Sequence, residues 1–211
     1  MALWLEVERT AIALDLGVPE DFVPRMQSLG EKVKQIGDPI LTCSTTAWEL
    51  WGLVNMRSHD EAWLAAEKVE RCAQAAGLDY LQAMALAGMG LTKSRTTLSP
   101  TSAQEVQALF ERALAALGSS PLRLRRAGIE FDFANAMLRF KQFAPALAHV
   151  ERAKAISRQI NDRAGMGTAA MLMARVLMDQ RSLVEMLPVL AEAQSLLEGF
   201  EDGGAAMTDV M

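Results

Sequence analysis

The chain has 211 residues, of which 51% are hydrophobic, 22% are charged and only 6% are aromatic. Its formal net charge of −5 argues against a nucleic-acid binder that depends on phosphate contacts. Alternating apolar and polar residues, the pattern typical of strands, are almost absent, so we expect an all-helical protein.

The sequence gives no sign of a membrane protein or of a secreted one. The first residues include Glu6, Glu8 and Arg9, where a signal peptide needs an apolar core. No run of about 18 uncharged apolar residues occurs. The only cysteines, Cys43 and Cys72, are too few for a disulfide framework or for a zinc site made of cysteines alone. We therefore expect two free thiols and a cytoplasmic location.

Helix-start and helix-stop signals divide the chain into ten predicted helices. The first is expected over about 2–15, with Gly17 ending it, and the second from Pro19 to about Ile36. The others are expected at about 39–57, 59–76, 79–95, 102–117, 121–141, 143–160, 163–179 and 182–198. They group into five pairs within one domain over 1–200, near 2–37, 38–77, 78–118, 121–161 and 162–199. Residues 201–211 are expected to form a flexible tail.

Turn signals recur about every 40 residues. Glycine and asparagine tolerate the left-handed conformation that ends a helix, and they occur at Gly37, Gly77, Gly118, Asn161 and Gly199. Asp38 followed by Pro39 predicts a helix start. Inside the pairs, a serine followed by a glutamate in the first helical turn predicts a capping box, at Ser58–Glu61, Ser102–Glu105 and Ser182–Glu185. The stretch 94–101 is predicted to be an inserted surface loop, with ligand contact as the less favoured alternative.

Apolar columns also repeat with a period of 40 residues. Ala134, Met137, Ala146, Val150 and Ala153 become Ala174, Leu177, Met186, Leu190 and Ala193 one period later. At these columns the chain resembles the tetratricopeptide repeat (TPR) family, in a long-period form similar to the repeats of bacterial signalling ATPases and transcription activators. The resemblance implies a right-handed α-solenoid of antiparallel helix pairs, with small residues where the two helices of a pair cross.

Residues that could carry chemistry form no recognisable constellation. His59 and His149 are far apart in sequence, lack metal-ligand spacing and are expected at helix surfaces. Gly88 and Gly90 lack the spacing of a phosphate-binding loop. We therefore expect no catalytic residue, no cofactor and no metal, and an enzyme with an unrecognised site remains the least favoured alternative.

The expected binding site is the concave face, because the resemblance implies that the first helix of each pair lines an inner groove. Asn135 matches the position where peptide-binding TPR domains often carry an asparagine that clamps the peptide backbone. Methionine surfaces adapt to varied side chains, and arginine can hold carboxylates. The predicted groove residues are Arg57, Met89, Lys93, Phe131, Asn135, Arg139, Met171, Arg175 and Met178.

The sequence thus favours a non-enzymatic scaffold that binds a peptide or protein segment, as the interaction portion of a larger regulator. The alternative is self-association into a homodimer through the end repeats, whose apolar residues are Trp4, Leu5, Leu196 and Phe200. RNA binding by the helical repeats is disfavoured by the acidic net charge. No membrane partner is expected.

Overall fold

The computed structural model describes residues 2–15 and 20–198. Within these residues ten α-helices follow one another and no strand occurs: α1 (Ala2–Asp15), α2 (Phe22–Ile36), α3 (Pro39–Asn55), α4 (His59–Ala76), α5 (Asp79–Thr96), α6 (Pro100–Leu117), α7 (Arg123–Arg139), α8 (Phe143–Gln159), α9 (Arg163–Asp179) and α10 (Leu183–Leu197). The all-α prediction is confirmed. The predicted signals at Gly17, Pro19 and Gly199 and the predicted tail over 201–211 lie outside the described residues.

Left-handed residues close both kinds of turn, between pairs and within pairs. Gly77 and Asn161 have φ values of 66° and 55°, as predicted for turns between pairs. Three turns within pairs have left-handed residues that the sequence signals missed, Arg57, Lys141 and Arg181, with φ values of 61°, 58° and 62°. In each of these turns, the left-handed residue and the residue after it donate backbone hydrogen bonds to carbonyls of the preceding helical turn. This is the Schellman arrangement, which satisfies carbonyls that a helix end leaves free.

The predicted capping boxes are wrong. Ser58 and Ser182 precede α4 and α10, but neither side chain bonds to a backbone N–H group of the helix that follows. In both turns the backbone bonds of the Schellman arrangement hold the chain in place of the serine side chain. Ser102 lies inside α6, because the cap is Ser99, whose Oγ atom accepts a hydrogen bond from the Ser102 N–H group at 3.0 Å.

Two aspartates cap helices at boundaries between pairs. The Oδ1 atom of Asp38 accepts hydrogen bonds from the N–H groups of Ile40 and Leu41 at 2.9 and 3.0 Å. Asp162 accepts one from the Gly165 N–H group at 2.8 Å. The predicted start of α3 at Asp38–Pro39 is therefore confirmed.

The connection between α5 and α6 is shorter than the predicted loop over 94–101. Helix α5 continues through Thr96, and α6 begins at Pro100, whose fixed φ suits the first turn of a helix. Only residues 97–99 lie between the two helices. Ser94, predicted to belong to the loop, is fully buried within α5.

The helices form two layers. Each odd-numbered helix packs against the even-numbered helix that follows it, and the odd-numbered helices also pack on one another, α1 on α3, α3 on α5, α5 on α7 and α7 on α9. Even-numbered helices make no comparable contact with one another in the described chain. The odd-numbered layer is therefore the more closely spaced one, which places it on the inner side of the stack. The architecture is a helical-repeat solenoid.

Small residues let the helices approach closely. Ala134, Ala146 and Ala153, which belong to the predicted crossing columns, are all fully buried. A Cβ atom at Gly52 would lie 2.6 Å from the Phe22 ring, closer than van der Waals contact permits. Any larger side chain at these positions would force neighbouring helices apart.

Cys43 in α3 and Cys72 in α4 form a disulfide, so the prediction of two free thiols is wrong. The two helices are antiparallel neighbours, and their packing brings the Cα atoms to 5.8 Å, within the range that a disulfide bridges. The proximity is tertiary, which is why a separation of 29 residues in sequence did not reveal it.

Candidate ligand-binding groove

Two cavities adjoin each other on the inner side of the solenoid. The first, here the aromatic pocket, has a volume of about 220 Å³ and is lined by Trp48, Trp51, Asn55, Tyr80, Met84, Arg125, Gly128, Ile129 and Asp132. The second, here the arginine pocket, has a volume of about 390 Å³ and is lined by Arg57, His59, Leu91, Arg95, Asp132, Asn135, Ala136, Arg139 and Arg175. Asp132 belongs to both cavities, so they form one continuous groove.

The aromatic pocket joins α3 to α7 across α5. The Arg125 guanidinium lies over the Trp48 ring, 5.2 Å from its centroid, a cation–π contact between helices two pairs apart. Tyr80 and Met84 of α5 line the same cavity. The Nε1 atom of Trp51 is buried and has no hydrogen-bond partner in the described chain. A buried donor without a partner costs free energy, which a ligand or water acceptor would recover.

Arginines near the ends of the inner helices connect successive repeats. Arg95 at the end of α5 donates from Nη1 to the carbonyl of Val54 in α3. Arg139 at the end of α7 donates from Nε to the carbonyl of Ser94 in α5 at 3.0 Å. Each bond reaches a carbonyl in the last turn of the preceding inner helix, and the Val54 carbonyl also accepts the backbone N–H of Arg57. Both arginines therefore hold repeats together as well as lining the pocket.

Two other arginines of the pocket have no such role. Among the described residues, Arg57 and Arg175 make no side-chain hydrogen bond and no ion pair. Arg175 is half-buried in α9, and Arg57 lies in the turn between α3 and α4. Their guanidinium groups are therefore available to an anion in the cavity.

Asp132 is the one carboxylate that lines the arginine pocket. Burial raises its pKa to about 7, although the charge of Arg95 acts in the opposite direction. The carboxyl group therefore changes between neutral and charged forms near neutral pH. Its neutral form can donate a hydrogen bond, and its ionised form can only accept one.

The structure brings four of the nine predicted groove residues together, since Arg57, Asn135, Arg139 and Arg175 all line the arginine pocket. The other five line neither cavity. Among those five, Met89 is buried in the core cluster, and Phe131 is half-buried and packs against the same cluster.

The remaining three predicted residues lie at the edges of the inner layer. Lys93 forms an ion pair with Glu105 of α6 and so turns towards its own helix pair. Met171 is half-buried in α9, and Met178 is exposed at the end of that helix. Peptide contact by any of these residues stays a prediction.

Sequence reasoning missed Arg95, Asp132 and the aromatic side chains. A signal for Arg95 was present, because each of the inner helices α3, α5, α7 and α9 has an arginine near its end. Those arginines are Arg57, Arg95, Arg139 and Arg175. The predicted groove contained Lys93 of α5 in place of Arg95, the arginine that continues this series. Trp48 and Tyr80 lie on different helix pairs, and no sequence pattern links them.

The prediction that His149 lies at a helix surface is wrong. Its side chain is buried, and its ring lies on Phe133 with a centroid separation of 3.6 Å. The Nδ1 atom is 2.6 Å from Oε2 of Glu130, which also accepts a hydrogen bond from Nε of Arg152 at 3.1 Å. Burial by itself would raise the pKa of Glu130, but the bonds from His149 and Arg152 outweigh it and lower the pKa.

The charge state of Glu130 fixes the proton on the histidine ring. Because the carboxylate is ionised, Nδ1 of His149 donates to it. The Nη2 atom of Arg152 lies 2.7 Å from the same nitrogen. The cluster joins α7 to α8, and none of its members lines the two pockets of the groove. It stabilises a helix pair rather than forming part of the groove.

Comparisons with known proteins assign no family, since neither the models of known protein families nor the curated proteins give a match. Within residues 2–15 and 20–198, no helix is long and apolar enough to cross a membrane. The same residues contain no group of histidine, cysteine, aspartate and glutamate side chains that could hold a metal ion.

Proposed function

We propose that this protein is a non-enzymatic scaffold that binds a peptide or protein segment along its inner groove. The observation that carries the proposal is the junction at Asp132, where an aromatic cavity and an arginine-lined cavity meet. A cavity with apolar walls and a few convergent polar groups is the usual form of a ligand site.

The groove offers complementary partners for a segment in extended conformation. The Asn135 side-chain amide has a donor and an acceptor, and can therefore pair with both groups of a peptide unit. Arg57 and Arg175 can bind acidic side chains, because a guanidinium group pairs with two carboxylate oxygens at once. Trp48 and Tyr80 offer flat apolar surface to a neighbouring side chain.

The wider assignment is also a proposal. The closely spaced inner helices and the buried alanines at the crossings support membership of the long-period TPR class. We infer that the domain is the interaction portion of a larger regulator and works in the cytoplasm. Free thiols do not support the cytoplasmic location, because Cys43 and Cys72 form a disulfide.

Selection from a random-peptide library displayed on phage tests the proposal. We expect the wild-type protein to enrich a defined set of peptides, and Asn135→Ala or Arg175→Ala to lose their binding. The matched control is Arg112→Ala, which removes an exposed arginine paired with Glu70 on the even-numbered helices. Enriched peptides that bind all four proteins equally would place the site elsewhere, and a selection without enrichment would reject binding of unmodified peptides.

Self-association is a second candidate, favoured by the apolar surface of α10. Leu183, Val184 and Leu187 are all more than half exposed, and Ala193 is the residue of this helix that is fully buried. At the other end, Trp4 and Leu5 are exposed as predicted. Leu196 is half-buried, and Phe200 lies outside the described residues.

Sedimentation velocity over a concentration series tests this candidate. If α10 mediates a dimer, the wild-type protein sediments faster as concentration rises, and Val184→Asp abolishes the change without loss of helix content. Ala155→Asp, at an exposed position in α8, is the matched control. A wild-type protein that stays monomeric throughout the series would remove the candidate.

A further inference from the structure

We propose that the arginine pocket binds a doubly charged oxyanion of the phosphate-monoester class, carried by a ligand whose ring or other apolar part lies in the aromatic pocket. This proposal rests on the groove being the binding site, and it names the chemistry of the ligand.

The first argument is the local imbalance of charge. Four arginines and His59 line the arginine pocket, and Asp132 is the one carboxylate there. The chain as a whole has a net charge of −5. A concentration of positive charge within a concave site of an acidic molecule attracts anions. One ligand carboxylate would neutralise one arginine, whereas a phosphate monoester carries close to two negative charges and three acceptor oxygens.

The second argument is preorganisation. Arg95 and Arg139 are held by the carbonyls of Val54 and Ser94, so their guanidinium groups lose little freedom when an anion binds. Arg57 lies in the turn before α4, and Arg175 lies in α9. Neither has a protein partner in the described chain, so both guanidinium groups can turn to the anion. Guanidinium groups on several sides match the tetrahedral spread of phosphate oxygens.

The third argument is the place of Asp132. The groups that face it across the two cavities are Arg125 of its own helix α7, Arg95 of α5, Arg57 and His59 near the start of α4, Arg139 and Arg175. Its carboxyl group is largely neutral below about pH 7. In that form it donates a hydrogen bond to an oxyanion instead of repelling it. Anion binding and proton uptake by Asp132 therefore favour each other.

The fourth argument is the shared wall. Because Asp132 lines both cavities, an anion in one is next to an apolar group in the other. Trp48, Trp51 and Tyr80 line the aromatic pocket and favour a flat ring. The ligand chemistry is thus an oxyanion joined to a ring, present in a phosphorylated tyrosine side chain and in a free nucleoside monophosphate.

Titration calorimetry and tryptophan fluorescence test the proposal with defined probes. We expect saturable binding of phenyl phosphate and of a phosphotyrosine peptide or adenosine monophosphate, with inorganic sulfate as a competitor. Benzoate, which carries one charge, is expected to bind more weakly. Arg175→Gln is expected to weaken phenyl phosphate roughly tenfold, and the exposed control Arg112→Gln is expected to have no effect.

A second variant, expected to bind more tightly, distinguishes loss of the site from loss of folding. We expect the affinity of the wild type for sulfate to fall between pH 6 and pH 8. Asp132→Asn is expected to lack that fall and to bind sulfate more tightly than the wild type at pH 8. Sulfate serves here because its own charge does not change in this range. No saturable binding of phenyl phosphate and sulfate, or equal losses in Arg175→Gln and Arg112→Gln, would overturn the proposal.

The remaining outcomes separate this proposal from the proposed function. Binding of the phosphotyrosine peptide but not of adenosine monophosphate identifies a modified segment as the source of the anion, and the reverse result identifies a small molecule. If phage selection yields no peptide and the phosphotyrosine peptide does not bind, while phenyl phosphate does, the oxyanion site stands and the peptide scaffold falls. Selected peptides that bind without any competition from sulfate would overturn the oxyanion site alone.

Discussion

The Nε atom of Arg139 donates a hydrogen bond to the backbone carbonyl of Ser94, 3.0 Å away and 45 residues earlier in the chain. The bond crosses the boundary between two inner helices and fixes their relative position. We expect Arg139→Met, which keeps most of the apolar stem, to lower the free energy of unfolding by about 1–2 kcal/mol. Urea denaturation measures the effect, with Arg158→Met at an exposed position of α8 as the control. Equal midpoints for wild type and Arg139→Met would contradict a structural role.

Asp132 makes stability depend on pH in a defined direction. Its pKa is about 7 in the folded protein and 3.8 when unperturbed, so ionisation of this carboxyl group lowers the free energy of unfolding. The cost is absent in acid, grows above about pH 4 and is complete above about pH 7. We therefore expect Asp132→Asn to be more stable than the wild type at pH 8, on the order of 1–3 kcal/mol. Chemical denaturation at pH 8 and at pH 4 measures the difference in free energy of unfolding between the variant and the wild type. A difference that is not smaller at pH 4 would contradict this account.

The left-handed arginine at position 181 carries a backbone cost that glycine avoids. Its φ is 62°, and its side chain makes no hydrogen bond or ion pair with the described residues. We expect Arg181→Gly to raise the free energy of unfolding by up to about 1 kcal/mol. The reciprocal control is Gly77→Arg, at φ 66° with open space around the Cβ position. Gly77→Arg should lower the free energy of unfolding by a similar amount. A lower melting temperature for Arg181→Gly, or a higher one for Gly77→Arg, would refute the backbone argument.

Packing at the helix crossing of the fourth pair predicts a cost for added volume. Ala153 is fully buried, whereas Ala155 on the same helix is exposed. We expect Ala153→Leu to lower stability by about 1–3 kcal/mol because α7 and α8 must move apart. Ala155→Leu should leave the denaturation midpoint nearly unchanged. A similar midpoint for both variants would show that position 153 is not a crossing.

The disulfide between Cys43 and Cys72 predicts a protein that reduction weakens. The bridge closes a loop with a sequence separation of 29 residues, which limits the unfolded chain. We expect Cys43→Ala/Cys72→Ala to be less stable than the oxidised protein by roughly 2–4 kcal/mol. Denaturation with and without reductant measures the loss. Thiol labelling of the unreduced, unfolded protein should find no free cysteine, and two labelled cysteines would disprove the bridge.

Local signals predicted most of the fold because its determinants are local. The apolar period of 3.6 residues, together with Gly77, Asn161 and Asp38–Pro39, sets helix bounds within about three residues of those found. The turns at Arg57, Lys141 and Arg181 were predicted, but their left-handed conformation was not, because arginine and lysine do not signal it. There the backbone follows the packing of the two helices rather than an intrinsic preference.

The site was only half accessible from the sequence, because its members meet through tertiary packing. Asn135 and Arg139 were found since both lie on one helix face that the resemblance marks. Asp132 was not found, because the feature that distinguishes it from other carboxylates is its raised pKa. That pKa arises from burial, which only the folded stack creates. His149 was assigned to the surface for the same reason, since its partner Glu130 comes from the preceding helix.

The contact between Arg125 and Trp48 has a consequence for how such an array can evolve. In a solenoid each repeat contacts only its neighbours, so the stack can change its number of units and still fold. Here one extra unit inserted between the α3–α4 pair and the α5–α6 pair would carry Arg125 out of reach of Trp48 and divide both cavities. The number of units in the middle of the chain is therefore set by the groove. Only the two ends are free to lengthen or shorten over generations.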